Sequence, residues 1–235
     1  MIHAQIVIPC FNEAEGLSSL IDECLEIIQL SKEALGFILV NNGSKDSSKL
    51  IFEEVNGLFP NIKIVDLPEN QGYGGGILAG LSESSASIIG WTHADLQTPL
   101  IDCLRAVNEI KGDVTFVKGQ RTGRSISDQI FSSGMGIFES LLFQSRLTEI
   151  NAQPTVFSRN FLEKWANPPS DFSLDLYALV MAVRSELQIR RITVDFLPRE
   201  FGYSKWNMGI KSRIRFIKRT MKYSLHLRKV LNENL

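Results

Sequence analysis

The stretch "GWTHADLQTP" (residues 90–99) sets His93, Asp95 and Gln97 at alternate positions just after an apolar run. Two carboxylates one residue apart at such a place form a compact oxygen cage for Mg²⁺ or Mn²⁺. Here only Asp95 is a carboxylate, and His93 stands where the other is expected. A neutral imidazole can accept a hydrogen bond or ligate a borderline ion such as Mn²⁺, but it suits Mg²⁺ poorly. The bland alternative is that His93 packs beside Trp91. Two cations, Arg199 and Lys205, fall in the aromatic turn "REFGYSKW". They read either as a clamp on a leaving group that gains negative charge or as a solvated surface pair. Asp175, in "FSLDLYALV", is the candidate base for a hydroxyl acceptor, or else an acid that complements a helix dipole.

These side chains need a frame, and the first half of the chain describes one. Short apolar runs at 4–9, 36–41, 62–66, 87–91 and 113–119 read as buried strands. Leu17, Leu20, Ile21, Cys24, Leu25 and Ile28 recur at helical spacing between the first two. Strands alternating with helices imply a mostly parallel sheet covered on both faces, with ligands beyond the strands' carboxyl ends. After Arg121 the pattern loosens. Residues 125–145 and 173–187 read as helices, 150–159 as strand or loop, 189–198 as a strand and 208–229 as a long basic helix.

The turns after the early strands carry the polar and small residues. In "VIPCFNEAEGL", Asn12 reads as a helix N-cap, or Pro9, Phe11 and Glu13 wall a nucleobase. In "VNNGSKDSS", Ser44 or Asp46 caps the next helix, or the polar side chains bind a base or ribose. "NQGYGGGILAG" lacks the Gly-Lys-Ser/Thr of a Walker loop and follows the third strand, so it is no dinucleotide fingerprint either. It remains a turn that lets backbone approach a ligand.

The 235 residues fit one large domain. A net charge of −1 with 44% hydrophobic and 22% charged residues gives no global reason to bind nucleic acid. Cys10, Cys24 and Cys103 lack CxxC spacing and read as reduced core thiols of a cytosolic protein. No signal peptide or membrane span is evident, which leaves a cytoplasmic protein or one peripheral to a membrane surface. In the basic helix Lys211, Arg215, Lys218, Lys222 and Lys229 share one face; Ile210, Ile214, Ile217, Met221 and Leu225 share another. That pattern suits packing on the domain or on a dimer mate, and equally an anionic lipid surface.

Six segments, "IPCFNE", "NNGSKDSS", "NQGYGGGILAG", "HADLQTP", "KGQR" and "REFGYSKW", occur in the order found in family 2 inverting glycosyltransferases. The chain resembles above all the branch of dolichyl-phosphate mannose synthase and bacterial polyprenyl-phosphate glycosyltransferases, over about residues 4–206. The resemblance implies a nucleotide-diphospho-sugar transferase (glycosyltransferase A) fold: α/β, with a Rossmann-like, mostly parallel mixed sheet and helices on both faces. It implies a catalytic domain over 1–206, with 207–235 as the basic amphipathic helix. Pro9, Phe11, Glu13, Asn41, Gly72, Gly76, Ala94 and Asp95 match nucleotide-binding positions. Asp95 and Gln97 match the metal and diphosphate motif, to which His93 is the added candidate. Arg121, Arg199, Ser204 and Lys205 match basic and phosphate-gripping positions. Asn41 and Asn42 depart from the family's two aspartates, so base specificity cannot be carried over.

The expectation is a metal-dependent hexosyltransferase, using Mn²⁺ or Mg²⁺, that moves a sugar with inversion from a nucleotide-diphosphate donor. The acceptor is a polyprenyl phosphate or a glycan hydroxyl, in cell-surface polysaccharide assembly. Loss of carboxylates at 41, 42 and 93 supports a rival reading, a catalytically inactive nucleotide-sugar sensor or scaffold.

Overall fold

The computed structural model describes residues 2–32, 34–123, 126–199, 201 and 210–233, with the side chains of 126–132 and 210–216 excepted. Ser204 and Lys205 therefore lie outside the described residues, as do the side chains of Ile210, Lys211, Ile214 and Arg215.

In chain order the elements are β1 (Ala4–Cys10), α1 (Ala14–Leu30), β2 (Leu35–Asn42), α2 (Ser48–Val55), β3 (Ile62–Leu67), α3 (Gly72–Ser82), β4 (Ile88–Trp91) and α4 (Ile101–Asn108). A short 3₁₀ turn leads into β5 (Thr115–Thr122). There follow α5 (Ile126–Phe143), β6 (Thr155–Ser158), α6 (Arg159–Leu162), α7 (Leu174–Arg184), β7 (Gln188–Asp195) and α8 (Ile210–Glu233). The apolar runs and helical periodicities predict nearly all of these; the strand-or-loop segment resolves into β6.

The strands form one sheet in the order β3-β2-β1-β4-β6-β5-β7. Every pairing is parallel except those of β6, which runs antiparallel to both β4 and β5. Alternation along β1 shows why both faces are covered. Ile6 and Ile8 join the core beneath α1, α2 and α4, while Val7 joins the core beneath α3 and α7. Trp91 and Phe157 are fully buried in that second core. Each such large side chain contributes about 1.5–3 kcal/mol by leaving water. Gly80 lets α3 lie close on the sheet, since a Cβ there would sit 2.4 Å from Val7 Cγ1.

Two local readings are corrected. Asn12 is not the N-cap of α1: its φ is +55°, and its Oδ1 accepts the Lys45 N–H at 2.7 Å. The first amides of α1 are satisfied from the neighbouring turn instead, Glu13 N–H by Ser48 Oγ at 3.1 Å and Ala14 N–H by Asp46 Oδ2 at 3.2 Å. Asp46 Oδ1 also accepts the Ser48 N–H that opens α2, so one carboxylate caps two helices. In α8, among the described side chains, the predicted row is half-buried at Ile217 and Met221 and leaves the core at Leu225. Ser224 and Leu227 are buried and Tyr223 and Leu231 pack on the core, whereas Leu225 is 55% exposed. The row through Tyr223, Leu227 and Leu231 repeats every four residues and carries the bulk that reaches the domain.

The three cysteines are buried and free. Burial pushes the Cys10, Cys24 and Cys103 thiols up, as inert core groups require.

Candidate active site

Parallel pairing brings the ends of β1, β2, β3 and β4 to one edge of the sheet, and the turns there interlock. Asn12 N–H donates to Ser44 Oγ at 3.0 Å, and Ser44 N–H to Asn41 Oδ1 at 3.1 Å. Asn41 Nδ2 donates to Asp66 Oδ1 at 2.6 Å, directly across the β2–β3 pairing. Asn42 faces the other way, donating to Gly72 O at 2.9 Å and accepting from Gln71 N–H at 3.0 Å. Gly72 has a φ of +82°, and a Cβ there would lie 2.6 Å from Ser170 O. Gly76 gives way to Asn42 and Pro9 in the same manner. The two asparagines that replace the expected carboxylates thus stitch three turns together.

The loop after β4 holds the candidate metal residues. Ala94 is buried, while His93, Asp95 and Gln97 are half-buried. Asp95 Oδ1 accepts Gln97 N–H at 3.2 Å, and Leu96 between them has a φ of +54°. A leucine held in the left-handed region costs on the order of 1–2 kcal/mol, and such strain gathers at functional loops. Gln97 is tied to the segment after β7: its Nε2 donates to Leu197 O at 3.0 Å, and its carbonyl accepts Leu197 N–H at 2.8 Å. Among the described residues no three His, Cys, Asp or Glu side chains gather to hold an ion. The loop fits a divalent cation only as one carboxylate, Asp95 Oδ2, with the Gln97 Oε1 nearby. The other ligands would be diphosphate oxygens and water, the usual arrangement for Mg²⁺ and related ions.

Of the three cations predicted from sequence, the two that are described, Arg199 and Arg121, are paired. Arg199 donates from one nitrogen to both oxygens of Glu13 at 2.9 Å, so two residues assigned to the ligand meet each other. Arg121 Nε donates to Glu149 Oε2 at 2.8 Å, and its guanidinium lies 5.8 Å from the Phe196 ring centre. Beside Glu149 a groove of about 520 Å³ runs along α5, with Ile137 62% and Leu141 74% exposed on its wall.

Asp175 does not line the crevice. It is 1% exposed, and its Oδ1 accepts from Gln153 Nε2 at 2.8 Å, Trp91 Nε1 at 3.2 Å and Lys118 Nζ at 3.4 Å. Sequence reasoning missed Lys118, Gln153 and Tyr73. Lys118 is fully buried, and burial pushes its ammonium down to about 8, with the Asp175 charge opposing that shift. A lysine two positions after Phe116, on the same face of a buried strand, gave the one available signal. Tyr73 joins this cluster to the metal loop, its hydroxyl lying 3.1 Å from Gln153 Nε2 and 3.0 Å from His93 Nε2. Its ring stacks on Phe172 at 4.3 Å, and burial, then the Asp175 charge, push its hydroxyl pKa well up.

Comparison with known proteins agrees with this geometry. A family model, glycosyl transferase family 2, matches residues 5–161, and the chain belongs to that family. It is 27% identical over 208 residues to the undecaprenyl-phosphate 4-deoxy-4-formamido-L-arabinose transferases of Yersinia pestis (strain Pestoides F) and Yersinia pseudotuberculosis serotype O:3 (strain YPIII). The match takes in 86% of this chain and 62% of each relative, so the chain spans under two thirds of their length. Among solved structures, glucosyl-3-phosphoglycerate synthase from Mycobacterium tuberculosis, in complex with Mn²⁺, UDP and glucosyl-3-phosphoglycerate, superposes with a TM-score of 0.69. That likeness is at 16% identity and covers 96% of this chain and 79% of that one. A mannosyltransferase from Pyrobaculum calidifontis, with GDP-Man and Mn²⁺, gives 0.64 at 17% identity, covering 86% and 58%. The fold is that of the glycosyltransferase A class, as expected.

Proposed function

We propose that this protein is an inverting glycosyltransferase that moves a sugar from a nucleoside-diphosphate donor to a polyprenyl phosphate, with a glycan hydroxyl as the lesser alternative. The observation that carries the reading is the set of interlocked turns at the ends of β1, β2 and β3, joined through Tyr73 and His93 to the β4 loop that carries Asp95. Pro9, Phe11, Glu13 and Asn41 would border the base, Gly72 and Gly76 the nucleoside, and Ala94 and Asp95 the diphosphate. A divalent ion, Mn²⁺ or Mg²⁺, would be held by Asp95 and Gln97 and would neutralise charge on the leaving diphosphate. Arg121, Arg199 and Lys205 would add fixed positive charge around that group.

The burial of Asp175 speaks against its serving as base, and a phosphate acceptor already ionised near neutral pH needs none. The groove walled by Ile137 and Leu141, ending at the Glu149–Arg121 pair, suits an apolar chain with an anionic head. Among the described residues no helix is long and apolar enough to cross a membrane. The exposed Lys218, Lys222 and Lys229 of α8 would rest on anionic lipid, peripheral to the cytoplasmic face, where such an acceptor resides.

The test is transfer of labelled sugar to undecaprenyl phosphate with UDP-, GDP-, dTDP- and CMP-sugars in turn, preceded by thermal melts with the same panel. A donor at a hundred times its Kd adds about 2.7 kcal/mol of stability. Stabilisation without transfer to any acceptor would instead support the sensor reading, which the internally satisfied Asn41 and Asn42 favour.

A further inference from the structure

The buried cluster around Asp175 fixes a direction for each hydrogen bond from Lys118 as far as Tyr73 and bears on the one from Tyr73 to His93. An ionised carboxylate only accepts, and an ammonium only donates. Lys118 Nζ donates to Thr155 Oγ1 at 2.8 Å and to Asp175 Oδ1. Thr155, its oxygen occupied by that ammonium, donates its proton to Gln153 Oε1 at 3.1 Å. This sets the Gln153 amide, because the reverse orientation would turn its oxygen on the carboxylate. Gln153 Nε2 then spends one hydrogen on Asp175 Oδ1 and the other on Tyr73 Oη. The Tyr73 hydroxyl, having accepted, keeps one proton to give; His93 Nε2 lies 3.0 Å away to receive it, and the nearby Asp175 carboxylate competes for it. A neutral imidazole that accepts at Nε2 carries its proton on Nδ1.

We infer that His93 is a hydrogen-bond donor and not a metal ligand: Lys118, Asp175, Gln153 and Tyr73 hold it in the Nδ1–H form, which presents an N–H to a phosphate oxygen beside Asp95. Among the described residues Nδ1 has no hydrogen-bond partner, and the ring is half-buried in the metal loop. Ligation through Nδ1 would displace this proton, and ligation through Nε2 would break the Tyr73 hydrogen bond. The substitution of a histidine for a carboxylate thus exchanges an acceptor, which repels phosphate, for a donor that binds it. The remaining cation site is left to Asp95. Lys118, Asp175, Gln153 and Tyr73 are positioning residues in this scheme. The phosphate role rests on the proposed function; the tautomer does not.

The ring ¹⁵N shifts of His93, read from long-range ¹H–¹⁵N spectra of the ligand-free protein at about pH 7, above the ordinary imidazole range and below the value to which burial pushes Lys118, decide the tautomer. The expected result is a protonated Nδ1 and a bare Nε2, and Tyr73→Phe should redistribute the proton between the two. The competing arrangement turns the Tyr73 hydroxyl to Asp175 Oδ2, which otherwise has no partner. It would leave Nε2 protonated, and that spectrum would overturn the inference whether or not the protein transfers sugar. Addition of UDP or GDP without metal should move the Nδ1–H resonance, and inorganic phosphate should do so more weakly. Movement with Mg²⁺ alone would mark His93 as a metal ligand and sink the proposal. In turnover, His93→Asn, whose amide N–H replaces Nδ1–H, should keep at least tenfold more kcat than His93→Gln, with metal affinity unchanged in both. Equal loss in the two variants would reduce the histidine to a packing role.

Discussion

Arg199 and Glu13, 186 positions apart in the chain, close on each other with both carboxylate oxygens 2.9 Å from one guanidinium nitrogen. Arg199 Nε also donates to Phe201 O at 2.6 Å, and the Phe201 ring lies where a Cβ on Gly16 would touch it. The segment after β7 is thereby strapped across the start of α1. For Arg199 to grip a diphosphate it must share its charge with Glu13 or leave it. Glu13→Gln should therefore tighten UDP or GDP binding at low ionic strength by about 3–10-fold, an advantage that fades as salt screens the charge. Calorimetric titration at two salt concentrations checks this. Weaker binding at both would show that the Glu13 carboxylate binds the nucleotide itself and does not act by competing for Arg199.

Lys118 and Asp175 form an ion pair with side chains 0% and 1% exposed. Removal of one member leaves the other charged and buried without compensation. Lys118→Met should cost about 3–5 kcal/mol in urea unfolding, and the additional change Asp175→Leu should recover part of the loss. A single variant as stable as the parent would show that the pair is not ionised.

Glu139 on α5 meets α8, where it accepts Ser224 Oγ–H at 2.7 Å, and burial pushes its carboxyl up to about 7. In the unfolded chain the same group titrates near 4.5. Between those values the folded protein holds a proton that the unfolded chain has released. The stabilisation is full below about pH 4.5 and is lost as pH rises through about 7. Glu139→Gln should be more stable than the parent at pH 8 and should remove this part of the pH slope. Parallel stability curves for the two proteins across pH 5–8 would contradict the assignment.

Asp95 is the sole carboxylate of the metal loop, so Asp95→Ala should abolish the enhancement of nucleoside-diphosphate binding by Mn²⁺. Metal-free affinity should stay within about threefold. Unchanged Mn²⁺ dependence in fluorescence or calorimetric titrations would move the ion elsewhere.

The exposed basic face of α8 predicts co-sedimentation with vesicles rich in phosphatidylglycerol, and release as salt rises. Replacement of Lys218, Lys222 and Lys229 by Gln should reduce the bound fraction several-fold and leave nucleotide binding intact. Equal recovery with neutral and anionic vesicles would reduce α8 to a packing element.

Much of the frame is legible in the sequence because burial on two faces leaves uniform apolar runs, as in "GFILVN", and helices leave a period, as from Leu17 to Ile28. The turns at the sheet's edge are legible for a related reason, since only small and polar residues close them. Caps were less so: Asn12 satisfies a local pattern, yet the partner it meets, Lys45, is set by the packing of β1 on β2. The cluster around Asp175 shows in the sequence only as a lysine within an apolar strand. Its members come from β4, β5, the loop before β6, α3 and α7, and only the antiparallel insertion of β6 brings them together. The buried row near the end of α8, through Tyr223, Leu227 and Leu231, is hard to single out because several four-residue rows of apolar residues run along that helix, and tertiary packing selects among them.

That insertion also has a bearing on redesign. Thr155 sits opposite Trp91 on one side and opposite Lys118 on the other, so the three residues form a single rung across the sheet. Their spacing is the interstrand distance of about 4.8 Å, set by backbone pairing and not by side-chain choice. A sequence engineer could rewrite the rung, with Asp175 and Gln153 above it, as a block of well-packed hydrocarbon without moving a strand, at little cost to the stability of the sheet. Such a variant would keep the scaffold while losing the only wiring that sets the histidine's proton, which makes it a means of separating what the fold needs from what the chemistry needs.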